Sequence, residues 1–286
     1  MAVATASDVW TERRRRVAEL RSRQGFARQL LDFYGALLSV QESAYRDALA
    51  ATPPASSLAS FVVEVVVPRV LDVSLAAGPE RLRSDLIHRL EAEDPRRMVE
   101  RWIAGDDQPA VDRYLARASL GPVLEALGPD AATAFAGPRD ARHCPACGGP
   151  PQLSYFAPAA DDLASGPRRL LCARCGASWT HARMTCPGCA EDASAKLPIF
   201  SERGTASGER GSVVRGLPGA TPPDAHAVFP HMRVEACDTC RTYLLSVDLA
   251  AEPRAVPVVD ELAAIPLDLY ARDRGFRKII TNLMGF

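Results

Sequence analysis

All eight cysteines of this 286-residue chain occur as Cys-x-x-Cys pairs in its second half. Two thiolates separated by two residues can bind one metal ion from a single tight turn, and two such turns complete a tetrahedral sulfur site. One pair alone would suit a redox dithiol equally well. Four pairs with no cysteine left over predict two four-cysteine metal sites. The pairs are Cys144/Cys147, Cys172/Cys175, Cys186/Cys189 and Cys237/Cys240.

An internal repeat predicts which pairs share an ion. Each unit runs as a Cys-x-x-Cys turn, an apolar segment and a second Cys-x-x-Cys turn, followed by Trp179 in the first unit and Tyr243 in the second. This order is the layout of rubredoxin-like or zinc-ribbon modules. An interleaved pairing of the two middle turns is the alternative, because only ten residues separate them. The repeat assigns Cys144, Cys147, Cys172 and Cys175 to site 1, and Cys186, Cys189, Cys237 and Cys240 to site 2.

The second unit departs from the first where a cysteine turn needs left-handed backbone. Gly148 and Gly176 follow the pairs of the first unit, whereas Ala190 and Arg241 hold those places in the second. A residue other than glycine with left-handed backbone lowers the stability of the fold by about 1 kcal/mol. The second unit also has 47 residues between its pairs, against 24 in the first. We therefore predict that site 2 is looser and loses its metal more readily.

The first 140 residues are predicted to be helical. Apolar residues recur every three or four positions over 26–38, as in a helix with one buried face, and Pro53 and Pro54 end that helix. Residues 61–67 are rich in β-branched side chains, but we interpret them as a buried helix because helical segments flank them. Further helices are predicted over residues 80–90, 95–103, 109–117, 122–127 and, beyond the cysteines, 258–270.

The predicted fold class is α+β, with four parts. An all-helical domain covers residues 1–140, and a first rubredoxin-like four-cysteine module covers 141–184. A second such module covers 185–250 and includes a long loop over 204–229 that is rich in Gly, Ser and Pro. A C-terminal helical segment, 251–286, is expected to pack on the helical domain.

Composition excludes several classes of protein. The formal net charge of −1 argues against a globally basic nucleic-acid binder. No stretch approaches the ~20 apolar residues of a membrane span, so membrane insertion is not expected. No apolar run follows Arg13 to Arg16, so we predict no secretory signal and a cytoplasmic location, where thiolate–metal sites are favoured over disulfides. Without a phosphate-binding glycine loop or a catalytic constellation, the chain is predicted not to be an enzyme.

Polar residues near the cysteines are secondary candidates. His181 and His226 are interpreted as surface or supporting groups, because four sulfurs already fill each predicted site. His143 directly precedes a pair and could tune site 1. Glu235 is interpreted as a solvated strand residue, or as a contact to an amide or a partner. The sequence also predicts a modest basic surface patch, formed by Arg168, Arg169, Arg174 and Arg183.

Five motifs carry a resemblance to a known family: Cys144-Pro-x-Cys147-Gly, Leu-Leu-Cys172-x-x-Cys175-x-x-x-Trp179-x-His181-x-Arg183-x-x-Cys186-x-x-Cys189, Glu235-Ala-Cys237-x-x-Cys240-x-Thr242-Tyr243-Leu244, Val259-Asp260-Glu261-Leu262-Ala263 and Arg274-Gly275-Phe276. Through these motifs the cysteine half resembles the FdhE family, the accessory proteins of formate dehydrogenase. The resemblance covers residue 140 to the C-terminus, and it is looser in the helical half. Three features of the second unit depart from it: Ala190, Arg241 and the long loop before Pro230.

The resemblance implies a cytoplasmic, non-enzymatic maturation factor. Such a protein would bind the catalytic subunit of respiratory formate dehydrogenase before its export, and would hold iron in rubredoxin-like centres. Sulfur ligation alone does not separate iron from zinc, so zinc stays possible. Two other functions remain open at this point: a zinc-ribbon nucleic-acid-binding protein and a rubredoxin-like electron carrier.

Overall fold

The computed structural model describes residues 6–132, 135–157, 166–202 and 227–285. Helices form the N-terminal part, one mixed sheet carries both cysteine units, and two further helices follow, which confirms the α+β class. Most of the predicted 204–229 loop, including His226, lies outside the described residues.

In the described part of the chain, seven α-helices and one π-helical turn precede the cysteines. The 61–67 segment is helical as predicted, but its central residues, 62–66, form a π-helical turn in which the Val67 N–H bonds to the carbonyl of Val62, five residues back. Pro68, in the first turn of the next helix, has no N–H to donate. The segments are α1 (Ala6–Arg23), α2 (Arg28–Ala51), α3 (Leu58–Phe61), the π turn (Val62–Val66), α4 (Val67–Ala77), α5 (Glu80–Leu90), α6 (Pro95–Ala104) and α7 (Ala110–Leu127).

The predicted interruption between residues 117 and 122 is wrong, because α7 continues through Pro122. Proline lacks an N–H, so the carbonyl of Ala118 loses its helical donor. The buried Gln41 side chain on α2 replaces it, donating from Nε2 to that carbonyl at 3.1 Å. A contact from a distant helix thus allows a proline inside α7.

We expect Gln41→Leu to lower the free energy of unfolding by about 1–3 kcal/mol, because it leaves the buried Ala118 carbonyl without a donor. Pro122→Ala restores the backbone N–H that can bond to this carbonyl. In the Pro122→Ala background, Gln41→Leu should therefore cost much less. Thermal unfolding of the four proteins of this cycle measures the difference, and equal costs in both backgrounds would contradict the assignment.

The sheet joins the two cysteine units edge to edge. Its strand order is β3-β2-β1-β6-β5-β4, and β7 pairs with β6. Each unit is antiparallel, whereas β1 and β6 are parallel, with Leu153 opposite Leu245. The units therefore share one sheet, and the domain boundaries at 140, 184 and 250 stay a prediction. The strands are β1 (Pro151–Phe156), β2 (Arg168–Cys172), β3 (Ser178–Thr180), β4 (Ile199–Phe200), β5 (Met232–Cys237), β6 (Thr242–Asp248) and β7 (Arg277–Lys278).

The C-terminal helices α8 (Pro257–Ala263) and α9 (Ile265–Asp273) cover the predicted 258–270 helix and divide at Pro266. A buried ion pair fixes α8 to the helical domain. Arg16 of α1 donates from Nε to both oxygens of Asp260, at 3.1 and 3.0 Å. His231, just before β5, lies with Nε2 2.8 Å from Asp260 Oδ1. One carboxylate thus links three parts of the chain.

Candidate metal centres

The eight cysteines form the two groups that the repeat predicts, and none is in a disulfide. The interleaved pairing is not found. In each group the four sulfur atoms lie within 4.8 Å of one another. A tetrahedral site with metal–sulfur bonds of 2.3 Å has sulfur–sulfur distances of about 3.8 Å, so each group could hold one ion. The close contacts are 3.6 Å for Cys144–Cys175, 3.4 Å for Cys147–Cys172, 3.7 Å for Cys186–Cys240 and 3.7 Å for Cys189–Cys237.

Backbone amides point at the sulfur atoms, as they do when a turn supports a thiolate. The N–H groups of Gly149 and Arg174 donate to sulfurs of site 1 at 3.3 Å each. In site 2 the N–H of Gly188 donates to Cys186 at 3.3 Å. The Thr242 hydroxyl lies 3.0 Å from the sulfur of Cys240. These donors stabilise the negative charge that metal binding requires on sulfur.

Left-handed backbone occurs at the four positions predicted for it. The φ angles are 69° at Gly148, 71° at Gly176, 65° at Ala190 and 56° at Arg241. At Arg241 the side chain offsets the strain, donating to Asp238 at 2.8 Å and to the Arg274 carbonyl at 2.7 Å. The exposed methyl group of Ala190 has no polar atom to make such contacts. The strain of site 2 is therefore concentrated at Ala190.

Ala190→Gly is expected to stabilise site 2 by about 1 kcal/mol, because glycine adopts a positive φ without cost. Loss of metal to a chelator should then slow by about fivefold. Gly176→Ala is the matched reverse change in site 1, since a Cβ there meets no atom within 4 Å and only the backbone strain changes. It should speed metal loss to a similar degree. Unchanged release from both variants would contradict the role of these positions.

The two groups differ in burial. Cys144 and Cys147 are 0% exposed, whereas Cys189 and Cys240 of site 2 are only partly buried. Burial and the neighbouring thiols raise the pKa of Cys172 well above its usual value. Burial also raises the pKa of Cys240, but hydrogen bonds from Thr242 and from the neighbouring thiols outweigh it and lower that pKa to about 7. The greater exposure of the sulfur atoms of site 2 supports the prediction that this site loses its metal first.

Arg174 anchors site 1 to the helical domain. The residue is 4% exposed, and its guanidinium donates to the carbonyl oxygens of Trp102, at 2.8 Å, and of Ile103, both in the last turn of α6. It also donates to the carbonyls of Ala136 and Cys147, at 2.7 and 3.1 Å. The residue lies between two cysteine ligand positions of site 1, so the shape of that turn is coupled to α6.

Arg168 anchors site 2 to the first unit. It is 2% exposed and donates to the carbonyl of Thr185, directly before Cys186, at 3.0 Å. It also donates to Glu235, two residues before Cys237. The interpretation of Glu235 as a solvated residue is therefore wrong, because this carboxylate lies in a buried ion pair. Since Arg168 and Arg174 are both buried, the predicted basic patch does not exist as one surface.

His143 and His181 contact groups other than the sulfur atoms. His143 Nδ1 lies 2.7 Å from Asp140 Oδ1, and hydrogen bonds from Arg142 and His143 hold the pKa of Asp140 well below its usual value. His181 is buried with Nδ1 3.0 Å from the Ala141 carbonyl, and burial lowers its pKa. Sequence reasoning missed the buried His231 and its bond to Asp260, since no local pattern marks it.

A second buried charge cluster was also missed. Lys278 Nζ lies 2.8 Å from Glu261 and 3.0 Å from Asp268, and all three side chains are almost fully buried. Burial raises the pKa of Glu261 despite the lysine. A signal was available, because Lys278 is one of only two lysines in an arginine-rich chain. The cluster fixes β7 to α8 and α9.

Comparisons of the sequence and of the fold with known proteins find similarity to the FdhE family. The profile described as FdhE, C-terminal domain, matches residues 222–284. The "Protein FdhE homolog" of Aquifex aeolicus is 28% identical over 146 residues, which cover 50% of this chain and 42% of the relative. That of Pseudomonas aeruginosa is 28% identical over 141 residues, covering 49% and 38%. The match thus spans about two fifths of the length of these curated relatives.

The fold agrees with a solved structure over nearly the whole chain. The crystal structure of the FdhE protein from Pseudomonas aeruginosa superposes with a TM-score of 0.64 and 21% sequence identity, covering 99% of this chain and 97% of that one. Among the described residues, no helix has the length and apolar character needed to cross a membrane.

Proposed function

We propose that this chain, a member of the FdhE family, is an accessory protein that formate dehydrogenase needs to become active, and that it is not itself an enzyme. More specifically, we propose that it acts in the cytoplasm by binding the catalytic subunit of a respiratory formate dehydrogenase before export. The family match and the shared fold support the accessory role. The partner, the timing and the location rest on the resemblance of the cysteine half to the family.

We further propose that the eight cysteines ligate two metal ions, one in each group. The observation that carries this is the closure of two sulfur quartets, with contacts of 3.4–3.7 Å within them. The ions would cross-link the turns and so hold the sheet in shape. Iron is favoured by the family resemblance, and zinc fits the same sulfur donors.

Hydrogen bonds and an ion pair connect the two metal sites to the rest of the protein, and this arrangement suits a protein that binds a partner. Arg174 connects site 1 to α6, and the Arg168–Glu235 pair connects site 2 to the first unit. Metal loading would therefore stabilise one continuous surface rather than two independent modules. A rigid surface binds a partner with a smaller loss of conformational entropy.

Co-purification tests the accessory role. The metal-loaded protein is expected to form a complex with a formate dehydrogenase catalytic subunit, and the double variant Cys144→Ser/Cys147→Ser is expected to lose it. Arg81→Gln, an exposed change on α5, is the matched control that should retain the complex. Absence of a complex with the loaded wild-type protein would overturn the proposal.

Electron transfer is a second candidate, favoured by the partial exposure of Cys189 and Cys240 in site 2. An ion close to the surface could exchange electrons with a partner. A red protein that bleaches on reduction would support this function. A colourless protein containing zinc, which has no redox chemistry, would exclude it.

A further inference from the structure

A pocket of about 170 Å³ lies between the two cysteine units, which we call the inter-unit pocket. One side is formed by Phe156 and Arg168 of the first unit, and the other by Ile199, Arg233 and Glu235 of the second. The pocket therefore exists only where the two units are correctly joined. Its small volume suits one side chain of a partner rather than a folded element.

The polar groups of the inter-unit pocket carry an excess of positive charge. Three arginines, Arg168, Arg183 and Arg233, line it together with two groups that can be negative, the Cys186 sulfur of site 2 and the Glu235 carboxylate, so one positive charge is in excess. This carboxylate is already shared, since it accepts from Arg168 and, at 3.2 Å, from Arg233. Backbone carbonyls also accept from Arg168 and from Arg183. An arginine has five N–H donors, so the three guanidinium groups still offer more donors than these acceptors use.

Two of these arginines converge on one aromatic ring. The guanidinium carbons of Arg183 and Arg233 lie 5.0 and 4.6 Å from the centre of the Phe156 ring. They are thus no more than about 10 Å apart, and two like charges at this distance repel. An anion that contacts both guanidinium groups would reduce the repulsion and accept charge-assisted hydrogen bonds. Arg183 is exposed and Arg233 is partly exposed, so a ligand can reach both.

The inter-unit pocket also has an apolar wall, beside a few uncharged polar groups such as Thr185 and Thr242. Leu197, Pro198 and Ile199 form one wall, each only partly buried. Met184 stands beside the arginines with 51% of its surface exposed. An exposed flexible methionine next to a cleft adapts to apolar side chains of different shapes. The combination fits an acidic residue that has apolar neighbours.

We infer that the inter-unit pocket binds an aspartate or glutamate side chain, flanked by apolar residues, on a surface segment of the formate dehydrogenase catalytic subunit. This inference rests on the proposed function. Arg183 and Arg233 hold the carboxylate, and Met184 with Ile199 contacts the flanking apolar side chains. Because both units build the pocket, recognition of the partner depends on their correct junction.

The test is a double variant, Arg183→Gln/Arg233→Gln, in the full-length, metal-loaded protein. Its affinity for the purified catalytic subunit should fall at least about tenfold, and binding should depend less on salt, because two charge-assisted contacts are lost. Both metal ions should be retained. Arg81→Gln/Arg277→Gln removes the same charge from exposed positions outside the pocket and should leave affinity unchanged.

The outcomes separate this inference from the proposed function. A loaded wild-type protein that does not bind the catalytic subunit overturns both. Binding that is equal in wild type and the pocket variant overturns only the inference. A pocket variant that loses the ion of site 2 overturns it too, since the arginines would then serve to balance the thiolate charge. The same holds if the variant changes self-association instead of partner affinity, because the occupant would be a second copy of the chain.

Discussion

Replacing Cys144 by serine is expected to remove one metal ion per chain and to unfold much of the first cysteine unit. Cys144 is fully buried, and the four sulfurs of site 1 can close around an ion only together. Structural zinc sites in small peptides contribute on the order of 10–16 kcal/mol, which exceeds the total stability of many domains. Metal content and limited proteolysis of the purified variant measure the effect.

Cys189→Ser is the matched control in site 2. It makes the same change at a partly exposed sulfur, and the second unit still pairs with the first through β1 and β6. We expect loss of the site 2 ion with a smaller effect on proteolysis of residues 141–184. Retention of two ions and unchanged protease resistance in Cys144→Ser would contradict a metal site at these residues.

Asp260→Asn is expected to lower the free energy of unfolding by about 3–5 kcal/mol, the usual cost of breaking a buried ion pair. The change leaves the charge of Arg16, which is 1% exposed, without its main partner. It also weakens the contact with His231 and the acceptor for the Val256 N–H. The double variant Arg16→Met/Asp260→Leu removes both charges and should recover much of the loss. A cost below about 1 kcal/mol for Asp260→Asn would show that the pair is not stabilising.

The same pair predicts a pH dependence. Burial raises the pKa of Asp260, but hydrogen bonds from His231 and Arg16 outweigh burial and hold the pKa below its usual value. The stabilisation is therefore present above the unfolded pKa of about 3.9 and is lost as pH falls through the folded pKa. The difference in stability between wild type and Asp260→Asn should accordingly shrink in acid.

Sequence patterns among neighbouring residues predicted most of the helices and both groups of cysteines. Cysteine spacing indicated both sulfur quartets, and the glycines after the pairs indicated the left-handed positions, including the strained Ala190. Apolar periodicity indicated most helices, and the boundaries of α5 match the predicted ones. These features depend on residues close together in the sequence, so local physical rules are sufficient for them.

Contacts between distant residues account for what was missed. Gln41 and Ala118 are 77 positions apart, and their bond permits a proline within α7. Arg168 and Glu235 are 67 positions apart, so neither the ion pair nor the loss of the basic patch could be read from spacing. The parallel pairing of β1 with β6, which merges the units into one sheet, is likewise a long-range contact.

Metal analysis combined with X-ray absorption of the anaerobically purified full-length protein tests the two sulfur sites most directly. The proposed sites predict two ions per chain, each surrounded by four sulfur atoms at about 2.3 Å if the metal is zinc. Protein that holds no metal when freshly purified, with its cysteines free or joined as disulfides, would contradict them.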